Sequence, residues 1–190
     1  MKAVGVGLMI LIALALQTSL ARFLTPGANV IDLVFVAVVY IALTGGAGAG
    51  LIAGAVAGLA QDSLAATGTS MISVGAGVVT ARSIIGIGGL AKTVVGFVAG
   101  VIGSQFIVAR PLPRALVFFT ATVAHAIMFV GLYGVIDAGY ARPTYGAIFS
   151  QAGAHALVGV LLFQTVELIP GVADRRRSMG RGMHINRRLD

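Results

Sequence analysis

The sequence predicts an all-α integral membrane protein with six transmembrane helices. Three observations carry that reading. Of 190 residues, 58% are hydrophobic and 10% charged, with a mean hydropathy of +1.00. A soluble domain carries about 25% charged residues, so this chain has too few polar side chains to cover a water-facing surface. The apolar residues fall in runs of about 20, the length that crosses a hydrocarbon core roughly 30 Å thick. Six of the thirteen Lys and Arg lie in the final stretch from Arg175 onward, with Arg175, Arg176 and Arg177 adjacent. A basic tail beside an apolar body sets membrane orientation or touches anionic headgroups.

Helix one is expected over 3–24. Its basic start and Ser-Leu-Ala ending loosely imitate a secretory signal, but the apolar run is long for one, and a retained helix is expected. Helix two, 30–44 (VIDLVFVAVVYIALT), is short; it spans if Asp32 reaches the headgroups and Tyr40 lies near the opposite interface. Helix three covers 46–66. The stretch 67–88 is interrupted by Arg82 and several glycines and reads as a short or re-entrant segment, because irregular backbone must be shielded from lipid. Helices four, five and six follow at 89–109, 115–136 and 146–168. The bundle thus occupies 1–170 and the basic tail 171–190. With six spans, nine basic residues fall on the side of the termini and four on the other. The positive-inside rule then puts both termini in the cytoplasm.

Several functions are excluded early. There is no cysteine, and the three His and six carboxylates are scattered, so neither a metal nor a cofactor is expected. No nucleophile, base and orienting acid come together, so the chain reads as a non-enzyme. The net charge of +7 is concentrated in the tail rather than spread over a nucleic-acid surface, and no nucleic-acid partner is expected.

The most regular feature is TGGAGAGLIAGAVAGLAQD (44–62), with glycine at 46, 50, 54 and 58. Gly48-Ala-Gly50-Leu-Ile-Ala53 imitates a dinucleotide fingerprint, but no strand precedes it. Gly86 to Thr93 imitates a phosphate-binding loop, but Ala91 replaces the glycine that must precede Lys92. As a helix, the four glycines form a gently winding stripe that lets another backbone approach closely. That neighbour is either a helix of the same bundle or a second protein. A weaker track, Gly96 and Gly100, is its candidate mate.

The charges point to one rim. Arg22 ends helix one, Asp32 opens helix two, Asp62 closes helix three and Lys92 opens helix four, all on the same side. They either snorkel and pair, Asp62 with Lys92, or line a polar pocket. His125 and His155 fall near the middle of helices five and six, a candidate buried polar pair.

LQTSLARFL (16–24), VIDLVFVAVVYIAL (30–43), GLAQD (58–62) and IIGIGGLAKTVVGFVAG (84–100), in that order and spacing, resemble the rod shape-determining protein MreD family. The resemblance covers residues 10–110 well; 67–83 departs from it as an insertion. It implies a bacterial inner-membrane scaffold of the cell-elongation machinery, binding MreC directly. Through MreC it would reach MreB, RodZ, RodA and a class B penicillin-binding protein that builds peptidoglycan. Membrane lipid and a second copy of the chain are further expected partners. The family is similar in fold to the S-components of energy-coupling-factor transporters. This opens an alternative, a vitamin-type ligand bound near Asp32, Asp62 and Lys92. A lipid-processing enzyme lacks a nucleophile–base pair.

Overall fold

The computed structural model describes residues 3–20, 31–66, 85–105, 110–136 and 143–168. They form six α-helices: α1 (Ala3–Leu20), α2 (Leu33–Gly45), α3 (Ala47–Ala66), α4 (Ile87–Gln105), α5 (Pro111–Ile136) and α6 (Tyr145–Glu167). No strand occurs among the described residues. Three of these helices, α4, α5 and α6, are long and apolar enough to cross a membrane; α1 and α2 are apolar but shorter.

Local chemistry sets the boundaries. Pro111 and Pro113 lie in the first turn of α5, where a missing N–H costs nothing, so the helix starts four residues before the expected 115. Thr144 caps α6, its hydroxyl accepting from Ala147 N at 3.4 Å. Gly46, expected inside helix three, instead joins α2 to α3 with φ +84°, a left-handed conformation that other residues resist. Ile87 and Gly88, expected in the interrupted segment, belong to α4. Of the rest of that segment, Ile85 and Gly86 form the turn before α4 and 67–84 lie outside the described residues, as do 21–24, 30 and 106–109 of the expected helices.

The largest departure from expectation is α2. At about 1.5 Å per residue, its 13 residues reach only about 20 Å. Val34 through Ala42 are buried without interruption. A helix apolar all round and this short is a core helix, enclosed by the others. Tyr40 is buried too, its ring 4.6 Å from that of Phe163, rather than near an interface.

Registers follow from the contacts. Asp32 meets His155 and Tyr40 meets Phe163 at the same separation of 123 residues, so α2 and α6 run parallel. Asp32 against Lys92 and Val38 against Gly96 make α4 parallel to α2 as well. Helices α3 and α5 run the other way. The starts of α4 and α6 define the upper end of the bundle, and the starts of α3 and α5 the lower end.

The tightest seam joins α3 to α4. Gly50 stands against the Gly96 carbonyl, Gly54 against that of Lys92, and Gly58 against the Gly89 backbone. A Cβ on Gly100 would sit 2.5 Å from the Gly46 oxygen and 2.6 Å from Ala47 Cα. Small-residue faces allow this approach, where dispersion between backbones supplies the attraction. Gly159 plays a similar part between α5 and α6, where the buried Phe118 ring occupies the space a side chain would need.

Candidate functional site

The first turn of α2 is buried, so its backbone N–H groups cannot turn to water and each needs a partner within the protein. Asp32 N donates to His155 Nε2 at 2.9 Å, and Leu33 N to Ile31 O at 3.1 Å. Val34 N donates to Gln17 Oε1 of α1 at 3.1 Å, Phe35 N to Asp32 Oδ1 at 2.9 Å, and Val36 N to Asp32 O at 3.0 Å. Every donor from 32 to 36 is satisfied.

The cap carries a charge, and α4 neutralises it. Asp32 Oδ2 lies 2.9 Å from Lys92 Nζ, with Asp32 6% and Lys92 4% exposed. Both were expected at a rim, reaching headgroups or lining a pocket. Both are instead buried, because α2 begins beside the middle of α5 and α6, where Thr122 and His155 lie. The pair is charge-neutral and hydrogen-bonded, which is the condition for burying ions without severe loss of stability.

His155 extends the node to α5. Its Nε2 accepts from Asp32 N–H and so carries no proton; the hydrogen therefore sits on Nδ1, 3.1 Å from Thr122 Oγ1. The Thr122 hydroxyl in turn donates to Phe118 O at 2.7 Å. This fixes one neutral tautomer of His155. We expect nitrogen-15 spectra of the solubilised protein to show His155 protonated at Nδ1 throughout the neutral range. His155→Phe should destabilise the fold by about 1–3 kcal/mol, because it strands the Asp32 N–H. An Nε2-protonated His155 would contradict the network.

His125 and His155 do not bond to each other; Phe35 packs against both rings, with centroids 4.8 Å from His125 and 5.6 Å from His155. His125 Nε2 is buried with no hydrogen-bond partner among the described residues, as is Gln61 Oε1.

Asp62 is not paired with Lys92. Its Oδ2 accepts from Gly86 N at 2.9 Å and Gly89 N at 3.1 Å, so it caps α4 from the end of α3. The antiparallel register explains the separation: Lys92 lies opposite Gly54, two turns of α3 away from Asp62. A carboxylate at a helix N-terminus meets both free N–H groups and the positive end of the helix dipole. Gly86, at φ +107°, bends the chain into this arrangement, and a side chain at Gly88 would strike Asp62 Oδ1.

A second ion pair, with Arg114 buried and Glu167 partly exposed, lies at the lower end. Arg114 donates to Glu167 through Nη2 at 2.6 Å and Nη1 at 3.2 Å, and its guanidinium lies 4.4 Å from the centre of the Phe163 ring. Sequence reasoning assigned neither Arg114 nor Glu167 a place in a site. It also missed Gln17 and Thr122 as members of the node. The available signal was the hairpin itself, which places the start of α5 opposite the end of α6. Arg22, Arg175, Arg176 and Arg177 lie outside the described residues.

The fold and site together define a six-helix apolar bundle tied at a neutral polar node. Gln17, Asp32, Lys92, Thr122 and His155 supply it from five different helices. Among the described residues, no three His or carboxylate side chains converge on a position that could hold a metal. No family model, curated protein or solved structure matches the chain.

Proposed function

We propose that the chain is a multi-pass scaffold of the bacterial inner membrane, of the MreD kind, with both termini cytoplasmic. It would hold MreC and, through it, link MreB and RodZ to RodA and a class B penicillin-binding protein during peptidoglycan synthesis. The observation that carries the reading is how the charges are used. Asp32, Lys92, Asp62, Arg114 and Glu167 are all engaged in joining helices to one another. Large apolar residues meanwhile lie exposed on α1, α3, α4, α5 and α6. Such a surface suits lipid and other transmembrane helices, whereas water would strip stability from it. Removing the buried Arg114 and Lys92 from the two orientation tallies still leaves eight basic residues against three.

The glycine stripe is engaged within the chain, so contact with MreC is assigned to other faces, such as the exposed ridge Val4, Leu8 and Leu11 of α1. The vitamin-binding alternative draws less support, because the charges it would use are already matched. Affinity purification of the chain from its native membrane in mild detergent tests the choice. A stoichiometric MreC is the expected companion. A stoichiometric small molecule would favour the transporter reading, and neither companion would remove the scaffold proposal.

A further inference from the structure

Helices α4 and α5 leave a groove between them. It is lined by Val94, Val98 and Ile102 on one side and Val117, Ala124 and Met128 on the other, with a volume of ≈ 310 Å³. Among the described residues that line it, the one polar side chain is Thr120, whose hydroxyl is turned back onto Leu116 O at 2.9 Å and Val117 O at 3.2 Å. From Val117 to Met128 the groove runs about 16 Å along α5, at about 1.5 Å per residue. That is about half of a hydrocarbon core roughly 30 Å thick, the depth of one leaflet.

Volume over length gives a mean cross-section of about 20 Å² for the centres of the atoms the groove admits, so it is roughly 8 Å from wall surface to wall surface. A polymethylene chain, whose carbons touch neighbours at about 4 Å, fits that width. A helix of about 10–12 Å does not. At the lower end, Arg110 is exposed, immediately before α5. Seven residues before Val117, it continues the stripe of Val117, Ala124 and Met128 downward by two turns.

We propose that the groove seats one acyl chain of an anionic phospholipid, with the headgroup phosphate held at Arg110. This inference rests on the membrane reading above. An acyl chain alone would satisfy the apolar walls; the arginine at the leaflet boundary selects the anionic headgroup.

The sequence contains no tryptophan, so a single introduced one reports its own surroundings. Val98→Trp places it in the groove. Leu161→Trp is the control, equally exposed at 49% and, like Val98, six residues below the node on a parallel helix. Each variant is reconstituted in phosphatidylcholine vesicles holding a minor fraction of either phosphatidylglycerol or phosphatidylcholine with brominated chains, which quench tryptophan on contact. At Val98 the brominated phosphatidylglycerol should associate about fivefold more strongly than its neutral counterpart, equivalent to about 1 kcal/mol for one basic side chain. Arg110→Gln should remove that preference, and Leu161→Trp should show none.

Equal quenching by both lipids at Val98 would overturn the proposal. So would a Val98 tryptophan shielded while that at Leu161 is quenched, which would show the groove closed by protein. If neither tryptophan is quenched, the chain is not in the bilayer, and the membrane reading fails with it.

Discussion

Gly50→Leu is expected to be the most damaging single substitution in the described chain. The first added atom alone would lie 2.7 Å from both the Gly96 carbonyl carbon and Ala42 Cβ. These neighbours are backbone and a core methyl, neither of which can rotate aside. The α3 and α4 backbones would have to separate along the whole seam, loosening the Gly54 and Gly58 contacts too. Overpacking in a core costs about 1–3 kcal/mol even when neighbours can shift. Here we expect a loss of about 3 kcal/mol or more, which would show as a lower melting temperature in detergent and early aggregation. Gly48→Ala is the control: no atom of the described residues lies within 4 Å of the added methyl. It should be neutral or stabilising, by up to about 1 kcal/mol from helix propensity. A Gly50→Leu protein that melts like the parent would show that the seam is not close-packed.

Lys92→Met should have the next largest effect, for an electrostatic reason. The substitution keeps the length of the side chain but leaves the Asp32 carboxylate buried without its cation. Breaking a buried pair from one side costs about 3–5 kcal/mol, most of it the burden of the remaining charge. The double variant Asp32→Asn, Lys92→Met should recover more than half of that loss. Asparagine still caps the first turn of α2 and no net charge is left inside. Equilibrium unfolding of the two singles and the double forms a thermodynamic cycle. Additive losses would mean the two groups do not interact and would remove the node as described.

The two expected results depend on different kinds of information. The glycine spacing was readable because a period of four in an apolar run is a property of one helix, and it announces a close neighbour wherever that neighbour is. Gly96 and Gly100 were visible for the same reason. The polar node was not. Asp32 looked like a rim residue because hydropathy treats every apolar run as a span, and only the burial of α2 on all sides moves its start into the interior. Asp62 and Lys92 share a side of the bundle, yet the register between α3 and α4 sets them two turns apart. Arg114 and Glu167 meet only through the α5–α6 hairpin, which no single segment reveals.

By itself, then, the sequence determined that the chain is helical and apolar, that it has six helical runs, and that its third helix needs another backbone against it. Those properties come from composition and from periods within a single segment. Tertiary structure decided that α4 is that neighbour, that α2 is enclosed, and that Lys92 neutralises Asp32 while Asp62 caps α4. Such choices depend on how far remote helices slide and rotate against one another, and one residue of slippage moves a side chain about 100° around its helix.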